Sequence, residues 1–486
     1  MMTYKYPVLH VKNFGKIRSA SIGLSPMTLF IGDNNSGKSY LMSLIYGLKS
    51  LKFGFRRLGE ELAVEGEPEE LQEALFAGES SLSPLLNIER IERNKETVEL
   101  DEALFGKIVH LINSVLDREK TKIIKSIFNS PIHIESMWLE FPFRNGMSFS
   151  IEKERRTPVS SPEEVFEPKR VYKLVFTFGK EEIVRSIYWT TIDKQGEGSL
   201  VRTSIISKMF MDVFYESFMR IIDRNSNILF LPSSRTGFML TRKNIIGDLI
   251  ERSGIDGFTL MDGNQGRSLY LTKPVIDYLR FISTVRTENP SNRFMSALEL
   301  LVSDILEGEI AVLESTQEFR YTPKGSKALS LPLYISSGVV TELVSLVLAL
   351  RYGNPRELFI EEPEISLHPQ LQLLIAQVMV RIINEGSNLF VSTHSDTIIQ
   401  HLNNMIKLAT ISDKNRKETL MKRYGYRMED LLNPSKIGMY QFTVDHKAQE
   451  TTVTRLIPEE YGFRVPTFSK TFKDLINETA DLEDEE

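Results

Sequence analysis

Residues 32–39 have the types and spacing of a loop that binds phosphate. They read Gly-Asp-Asn-Asn-Ser-Gly-Lys-Ser and match the pattern G-x-x-x-x-G-K-[ST] at every fixed position. Glycines in such a loop let backbone N–H groups surround phosphate oxygens, Lys38 neutralises the β- and γ-phosphates, and the Ser39 hydroxyl can bind Mg²⁺. The expected ligands are therefore ATP and Mg²⁺. The predicted nucleotide-binding residues are Gly32, Asp33, Asn34, Asn35, Ser36, Gly37, Lys38, Ser39 and Tyr40.

Two adjacent carboxylates follow a short apolar segment in the last third of the chain. Leu358–Ile360 has the composition of a buried strand, and Glu361 and Glu362 come directly after it. At the end of a parallel strand, one carboxylate lies next to the metal and the next where water would attack the phosphate. We therefore expect Glu361 to bind Mg²⁺ together with Ser39, and Glu362 to be the catalytic base. A surface acid cluster is the alternative, and the phosphate-binding loop upstream favours the catalytic interpretation.

His394 lies at the end of another apolar segment. A lone histidine is more often structural than catalytic, and a zinc site with His401 has little support because the seven histidines are scattered and cysteine is absent. Its position after a predicted strand and after the acid pair favours a contact with the γ-phosphate. We predict that His394 is a second catalytic residue.

Ser336, Ser337 and Gly338 directly precede a predicted helix. Serine hydroxyls and a helix amino terminus bind anions, although an ordinary helix cap would use the same residues. One chain does not need two phosphate sites for one ATP, whereas two copies that face each other head to tail do. We expect these three residues to contact the nucleotide bound by a partner copy.

The composition of the whole chain excludes several classes of protein. It has 486 residues, with 59 Lys and Arg against 65 Asp and Glu, and the net charge of −6 argues against bulk affinity for nucleic acid or anionic lipid. The lack of cysteine excludes disulfides, thiolate metal sites and a cysteine nucleophile. No apolar run approaches the roughly 18 residues of a membrane span. These features predict a cytoplasmic, multidomain protein without membrane attachment.

Helix and strand patterns place the motifs in two α/β segments. In the first, Met27–Ile31 predicts a buried parallel strand and Ser39–Leu51 a helix. In the second, Val339–Arg351 and Pro369–Asn384 predict helices and Asn388–Val391 a strand, which gives a βαβ unit. About 300 residues separate Lys38 from Ser336. The two segments could form one split α/β domain with a large insertion.

The order of these motifs resembles that of the ABC-class ATPases, and within them the RecF, SMC and OLD group. The opening Val11–Gly15 and the string Glu361–Pro369, which reads Glu-Glu-Pro-Glu-Ile-Ser-Leu-His-Pro, are typical of that group. The resemblance covers about residues 5–52 and 330–405. The corresponding motifs are Walker A at Gly32–Ser39, the signature at Ile335–Gly338, Walker B at Glu357–Glu364, the D-loop at Ser366–Pro369 and the switch histidine at Ser392–Ser395.

The resemblance implies a split ABC-type ATPase domain, that is, a mostly parallel sheet flanked by helices, with a large mixed α+β insertion. It also implies an active unit that is a homodimer or a higher oligomer. Within the insertion, Asp101–Phe128 predicts helices and Asn227–Leu231 a short buried strand. The expected boundaries are 1–52 for the first ATPase part, 53–225 for a helical and β insertion, 226–329 for its continuation, 330–410 for the second ATPase part and 411–486 for a C-terminal segment with an acidic tail.

The sequence departs from the family pattern at several positions. Val339 stands where Gln or Glu is common in the signature, which predicts slow hydrolysis, and Glu361 replaces the more usual Asp. The Gln that reaches Mg²⁺ has no clear counterpart, and Gln265 is a guess. The segment Leu231–Arg235 resembles a strand-end motif of OLD-like ATPases that would bring Arg235 to the nucleotide; an arginine in a turn is an equal alternative.

The C-terminal part of the chain separates the function classes. OLD-type nucleases carry a Toprim domain with an Asp-x-Asp pair after the ATPase, and no such pair follows His394. The chain thus resembles ATPase subunits of two-gene bacterial anti-phage systems, such as those of PARIS and, less closely, Septu. This implies a sensor or scaffold ATPase that controls a separately encoded effector, a Toprim-type nuclease, with DNA or a phage protein as further candidate partners.

The alternative is a RecF-like DNA-repair clamp that encloses duplex DNA. It draws on the basic run Lys414, Arg416, Lys417, Lys422, Arg423 and Arg427, for which a solvated helix face is the simpler interpretation. A salt-dependent gel shift with ATP would separate the two classes.

Overall fold

The computed structural model describes most of the chain. The described residues are 6–50, 91, 96–155, 170–178, 181–189, 210, 213–215, 217–219, 227–253, 271–313, 316–326, 329–445, 447–459, 462–465, 476–480 and 482. The chain forms two compact units. The first consists of Met1–Val8, Leu48–Lys120 and Met137–Arg224, and the second of Leu9–Gly47, Thr121–Ser136 and Asn225–Glu486.

The elements follow the chain in this order. The first part contains β1 (Val8–Phe14), β2 (Ile17–Gly23), β3 (Met27–Gly32), α1 (Lys38–Ser50), β4 (Thr97–Glu99), α2 (Glu102–Phe128), β5 (Ser136–Glu140), β6 (Met147–Arg155), β7 (Arg170–Phe178), β8 (Glu181–Trp189) and β9 (Asn227–Leu231). The second part contains α3 (Arg235–Ser253), α4 (Lys273–Ser283), α5 (Met295–Leu300), β10 (Gly308–Leu313), β11 (Glu318–Pro323), β12 (Leu331–Pro332), α6 (Gly338–Leu348), β13 (Pro355–Glu361), α7 (Pro369–Asn384), β14 (Asn388–Thr393), α8 (Asp396–Thr410), α9 (Lys414–Tyr424), β15 (Ile437–Asp445) and β16 (Glu450–Leu456).

The second unit is built on a large sheet with the strand order β1-β2-β16-β15-β3-β14-β13-β9. The pairs β3–β14, β14–β13, β13–β9, β15–β3 and β16–β2 are parallel, and β15–β16 is antiparallel. Parallel strands need crossovers through helices, and α7 supplies the one from β13 to β14. The predicted α/β class, a mostly parallel sheet flanked by helices, is confirmed.

Both faces of β3 are buried, because helices or aromatic side chains cover each of them. Met27, Leu29 and Ile31 belong to a continuous apolar core shared with α6, α7 and α8. On the opposite face Phe30 packs against the rings of Tyr440 and Phe442 of β15, with ring centroids 6.1 and 5.7 Å away. A strand buried on both sides is a near-continuous apolar run, which is why its sequence predicts it well.

The last strands of the sheet come from a distant part of the chain. Sequence patterns place residues 411–486 outside the ATPase domain, whereas β15 pairs directly with β3, from Ile437 opposite Met27 to Phe442 opposite Gly32. Local periodicity gives no information on a pairing partner about 400 residues away. The sheet that carries the phosphate-binding loop therefore includes a hairpin that motif reasoning does not assign to it.

The first unit contains an antiparallel sheet with the order β4-β6-β7-β8. Aromatic side chains pack beside it: the ring of Phe210 lies 4.7 Å from that of Phe149 and 4.9 Å from that of Phe176. Asp101–Phe128, predicted to be helical, forms one long helix, α2, divided between the two units at Lys120. Within the described residues, no helix is both long and apolar enough to cross a bilayer.

A buried ion pair connects α7 to the segment after α9. The Arg381 Nε and Nη2 atoms lie 2.7 and 3.2 Å from the two carboxylate oxygens of Asp430, and both side chains are buried. Asp430 also accepts a 2.8 Å hydrogen bond from the backbone N–H of Arg427. Removal of one partner of such a pair leaves an uncompensated charge in the interior, which is more costly than loss of the pair as a whole.

We predict that Asp430→Ala lowers the free energy of unfolding by about 3–5 kcal/mol, because Arg381 is then left buried without its counter-charge. Glu299→Ala is the matched control, since Glu299 pairs with Arg427 at 3.1 Å but both side chains are more than half exposed. Its effect should stay within about 1 kcal/mol. Urea unfolding followed by circular dichroism measures both changes, and equal effects would contradict the role given to the buried pair.

Candidate functional site

The phosphate-binding loop joins β3 to α1 in a conformation that requires glycine at both of its fixed positions. Gly32 has a φ of +131° and Gly37 a φ of +93°, values that side chains rarely adopt. A Cβ atom on Gly32 would also collide with the backbone carbonyl of Phe442 in the neighbouring strand β15. The local geometry thus agrees with the motif, and β15 fixes the start of the loop.

Lys38 is enclosed by the loop that it follows. Its side chain is 6% exposed, and its Nζ atom donates to the backbone oxygens of Gly32 and Asp33 at 3.1 and 2.6 Å and to the Ser36 hydroxyl at 3.3 Å. Burial lowers the pKa of Lys38 to about 8, and the negative charge of Glu362, the largest of the opposing contributions, limits the shift. The hydrogen-bond partners of the Lys38 ammonium are neutral groups, and a phosphate bound in the loop would be a stronger partner than any of them.

Strand β15 supports the loop through Asp33. The Asp33 carboxylate accepts a 3.3 Å hydrogen bond from the backbone N–H of Val444, and its own N–H lies 3.4 Å from the carbonyl oxygen of Phe442. Ser36 is buried and donates to the Asp33 carbonyl at 2.7 Å, whereas other predicted residues are exposed. Asn34 and Asn35 are exposed, Asn35 with a φ of +58°, and Tyr40 is 48% exposed with its ring edge-on to that of Phe128.

Glu361 at the end of β13 lies close to the loop. Its carboxylate accepts a 3.1 Å hydrogen bond from the backbone N–H of Ser233. Burial raises the pKa of Glu361, and the nearby Ser39 hydroxyl and the Ser233 N–H limit this rise. A hydroxyl and a buried carboxylate side by side are the oxygen ligands that Mg²⁺ prefers. The pair predicted to bind the metal is therefore brought together, and its donor chemistry fits.

No group of three or more His, Asp or Glu side chains that could hold a metal occurs among the described residues.

Glu362 adopts a left-handed backbone conformation with a φ of +44°. Non-glycine residues in this region cost of order 1–3 kcal/mol and persist only where surrounding contacts hold them. Here the backbone N–H of Glu362 donates to Ser392 of β14 at 2.8 Å. The side chain is half-buried and near enough to Lys38 and His394 to influence the pKa of each. The predicted base is thus beside the loop in a strained, fixed conformation.

Glu364 is a site residue that motif reasoning misses. Its Oε1 atom accepts hydrogen bonds from the Thr393 hydroxyl at 2.9 Å and from the His394 backbone N–H at 2.6 Å. Burial raises its pKa. The sequence feature that could have indicated Glu364 is its place as the third acid in the string that begins at Glu361. The side chain of Glu364 holds the end of β14 next to the end of β13.

The His394 ring lies within the electrostatic reach of the loop. Burial lowers its pKa, and the positive charge of Lys38 lowers it further, so the ring is neutral near pH 7. The next residue, Ser395, caps α8 by accepting a 3.1 Å hydrogen bond from Ile398. The loop, both predicted acids and the predicted histidine are thus close together at the carboxyl ends of β3, β13 and β14.

The structure places Ser336, Ser337 and Gly338 in a different environment. Ser337 caps α6 by accepting from the Val340 N–H at 3.4 Å, and Ser336 donates to Pro332 at 3.1 Å. Among the described residues the nearest side chain to Gly338 is Ser366 of the predicted D-loop. Ser337 and Gly338 are exposed, as are the neighbouring Tyr334 (74%) and Ile335 (57%). The amino terminus of α6 is therefore open to a partner.

Arg235 does not have the environment of a nucleotide contact. Its side chain is 2% exposed, and Nη1 and Nη2 donate to the backbone carbonyls of Glu361 and Glu362 at 2.6 and 3.1 Å. It also forms an ion pair with Glu342 of α6, an acid that motif reasoning misses. Glu342 is the only charged residue in the sequence between Gly338 and Leu350, which is the signal that could have found it. Gln265 lies outside the described residues.

The predicted basic run forms α9 and the residues after it. Lys414, Arg416, Lys422 and Arg423 are exposed, whereas Lys417 is partly buried and donates to the Ala409 carbonyl at 3.1 Å. Much of the run is thus a solvated basic helix face.

Comparison with known protein families gives a match to an AAA ATPase domain, over residues 8–142 and 351–399. These residues are less than half of the chain, and they include the phosphate-binding loop and the segment from Glu361 to His394. The sequence has no match among curated proteins. The chain thus contains a P-loop ATPase domain, similar to that family, that is split between two stretches of sequence.

Three solved structures are similar at a low level. An SMC head bound to the C-winged helix domain of ScpA is 13% identical, with a TM-score of 0.35, over 94% of this chain and 98% of its own. The SMC head domain from Thermotoga maritima is 12% identical, with a TM-score of 0.31, over 93% of this chain and 98% of its own. A third structure is the Smc head domain with an extended coiled coil bound to the C-terminal domain of ScpA, derived from Pyrococcus furiosus. It is 11% identical, with a TM-score of 0.32, over 97% of this chain and 99% of its own. These TM-scores are below 0.5, and the fold described above rests on its own strand order and contacts.

Proposed function

We propose that the protein binds ATP and Mg²⁺ at the carboxyl edge of its large sheet and hydrolyses ATP between two copies of the chain. The observation that supports this best is the shared carboxyl edge of the parallel strands β3, β14 and β13, which brings Glu361 near enough to the Ser39 hydroxyl of the phosphate-binding loop for Ser39 to affect the pKa of Glu361. Lys38 and Glu362 lie beside this pair. The types, the burial and the order of these residues suit phosphoryl transfer to water.

Each side chain has a distinct task in this reaction. Lys38 and the backbone N–H groups of the loop bind the β- and γ-phosphates. Ser39 and Glu361 would hold Mg²⁺, which when bound would supply positive charge to offset that of the phosphates. Glu362 orients the attacking water and accepts its proton. His394, neutral because its pKa is lowered, donates a ring N–H to the γ-phosphate.

The second copy completes the site. The amino terminus of α6 carries a partial positive charge that favours an anion, and Ser336, Ser337 and Gly338 lie there. In a two-fold symmetric dimer, each nucleotide would be held by the loop of one chain and by these residues of the other. The exposed Tyr334 and Ile335 would be covered by the same contact.

We further propose that this dimer is the sensor and scaffold subunit of a bacterial anti-phage complex and controls a separately encoded Toprim-type nuclease. The support is the motif order, which resembles that of the ATPase subunits of such systems. A duplex-DNA clamp is the second candidate, and the observation that favours it is the exposed basic face of α9.

We predict that Lys38→Ala weakens ATP binding about 10- to 150-fold, because a charge-assisted hydrogen bond to phosphate contributes roughly 1.5–3 kcal/mol. The lowered pKa adds a pH dependence. Below pH of about 8, Lys38 already carries its proton in the free protein. Above it, binding must include proton uptake, so the affinity should fall by up to about ten-fold per pH unit.

Calorimetry from about pH 7 to about pH 9.5 measures this profile. Lys38→Arg is the control, since its guanidinium keeps the proton over the whole range and its profile should be flat. Lys414→Ala, at an exposed position, should bind ATP as the wild type does. A wild-type profile as flat as that of Lys38→Arg would contradict the assignment.

We predict that Glu362→Gln lowers the turnover number by about 10²- to 10⁴-fold while ATP binding persists, because the amide keeps the size of the side chain but cannot accept the proton. The variant should accumulate as an ATP-bound dimer in size-exclusion chromatography. Glu364→Gln is the comparison, since its amide oxygen can still accept from Thr393 and His394, and its turnover should fall less. Normal turnover by Glu362→Gln would show that the base is elsewhere.

The ATP-bound dimer of Glu362→Gln can also be used to distinguish the anti-phage subunit from the DNA clamp. A salt-sensitive shift of duplex DNA by the trapped dimer, lost when Arg416 and Arg423 are replaced by Glu, would favour the clamp. Stable assembly with the co-expressed product of the adjacent gene, without a DNA shift, would favour the defence subunit.

We predict that two inactive variants recover activity on mixing. Lys38→Ala removes a phosphate contact of the loop, and Ser336→Arg blocks the contribution of α6 to the partner's nucleotide. In a mixed dimer both lesions fall in one composite site, and the other site is intact. Turnover should therefore return to about half of the wild-type value per dimer. Full activity of either variant as a monomer, or no recovery in verified mixed dimers, would overturn the shared site.

A further inference from the structure

Arg235, at the start of α3, is a buried side chain with four hydrogen bonds to backbone carbonyls and one ion pair. Nε donates to the Glu342 carbonyl at 3.2 Å, and Nη1 donates to the carbonyls of Pro232 and Glu361 at 3.2 and 2.6 Å. Nη2 donates to the Glu362 carbonyl at 3.1 Å and forms an ion pair with Glu342 Oε1 at 2.5 Å. The guanidinium, which has five N–H groups, is thus held by several neighbours at once.

Apart from Pro232, three residues before it in the chain, the partners of Arg235 belong to two regions with different tasks. Glu361 and Glu362 end β13 and face the reaction, whereas Glu342 lies in α6, four residues after Gly338. Glu342 is itself 2% exposed and is held from a second side, because the Thr236 hydroxyl donates to Glu342 Oε2. A single rigid group therefore connects the helix that would contact the partner's nucleotide to the backbone of the predicted base.

Three hydrogen bonds hold the backbone of Glu362, and one of them comes from a side chain. Its N–H donates to the Ser392 carbonyl, and its own carbonyl accepts from the Ile365 N–H at 3.2 Å and from Arg235 Nη2 at 3.1 Å. With these bonds the residue has a φ of +44°. A left-handed glutamate persists because its surroundings hold it. A small shift of α6 would move the planar guanidinium of Arg235 and, through it, the backbone of Glu362. A lysine ammonium on its flexible stem would not pass on such a shift, because its donors can rotate.

We propose that Arg235 is a positioning residue that couples α6 to the catalytic backbone of Glu361 and Glu362, so that engagement of α6 by the partner's nucleotide sets the geometry of hydrolysis. The inference rests on the proposed ATPase function and on the shared nucleotide site. Arg235 contacts neither substrate nor water in this role; it acts through Glu362. ATP binding, which uses the loop of the same chain, is expected to be independent of it.

The test compares Arg235→Lys and Glu342→Gln with the control Arg242→Lys. Arg242 lies two turns further along α3 and is also buried, but it donates to the Met239 carbonyl at 2.9 Å and to the Gln317 carbonyl, and it lies 4.1 Å above the Phe319 ring. It thus has the same chemistry without contact to β13. For each chain, the ATP dissociation constant, the turnover number, ATP-dependent dimer formation and the melting temperature are measured.

We expect Arg235→Lys and Glu342→Gln each to lower the turnover number at least about ten-fold with the ATP dissociation constant within about two-fold of the wild type. The double variant should be no slower than the slower single variant, because both changes break one connection. Arg242→Lys should lower the melting temperature as much but leave the turnover number within about two-fold. If Arg235→Lys does not fold, Glu342→Gln, which keeps an oxygen for Thr236, carries the comparison.

Wild-type turnover by folded Arg235→Lys and Glu342→Gln, or an equal loss in Arg242→Lys, would overturn the coupling while the ATPase function stands. Additive losses in the double variant would also overturn it. If the wild-type chain itself shows no turnover, the proposed function and the coupling are both wrong.

Discussion

Lys38, Glu361, Glu362 and Glu364 share a site with little access to water, and the rest of the arrangement depends on how this charge is accommodated. Burial lowers the pKa of Lys38 and raises those of Glu361 and Glu364, so each of these three groups is shifted toward its neutral form. Carboxylates outnumber ammonium groups, and water cannot compensate for the difference. A bound divalent cation would restore the balance, and the phosphates bound with it would lie close to Lys38. Metal and nucleotide binding are therefore expected to support each other.

Hydrogen bonds with neutral backbone groups hold the carboxylates of Glu361 and Glu364 and the backbone of Glu362 in place. Glu361 accepts from the Ser233 N–H, Glu364 from the His394 N–H, and the Glu362 N–H donates to the carbonyl of Ser392. Such bonds are available because β9, β13 and β14 are parallel neighbours whose carboxyl ends coincide. The sheet thus supplies fixed dipoles at the edge where the reaction is proposed to take place, and these need no reorganisation when substrate arrives.

The sequence predicts those parts of the site that are defined by nearby residues. The loop from Gly32 to Ser39 and the pair Glu361–Glu362 are recognisable because glycine conformation, strand ends and acid spacing are local properties. The contact of Arg235 with Glu342 and the pairing of β15 with β3 join residues about 100 and about 400 positions apart, and no periodicity encodes them. A charged residue inside an apolar helix, as Glu342 is, was the one available indication that a buried partner exists.

The position of β15 in the sheet has a consequence for synthesis of the chain. Gly32 and Asp33 are made early, yet the strand that flanks β3 on one side begins at Ile437. Since a ribosome adds about 5–20 residues per second, the loop waits on the order of 20–80 s for that neighbour. During this interval one edge of β3, with its unpaired N–H and C=O groups, needs protection by other contacts. The proposed nucleotide site therefore cannot acquire all of its neighbours before residues 437–442 have been made.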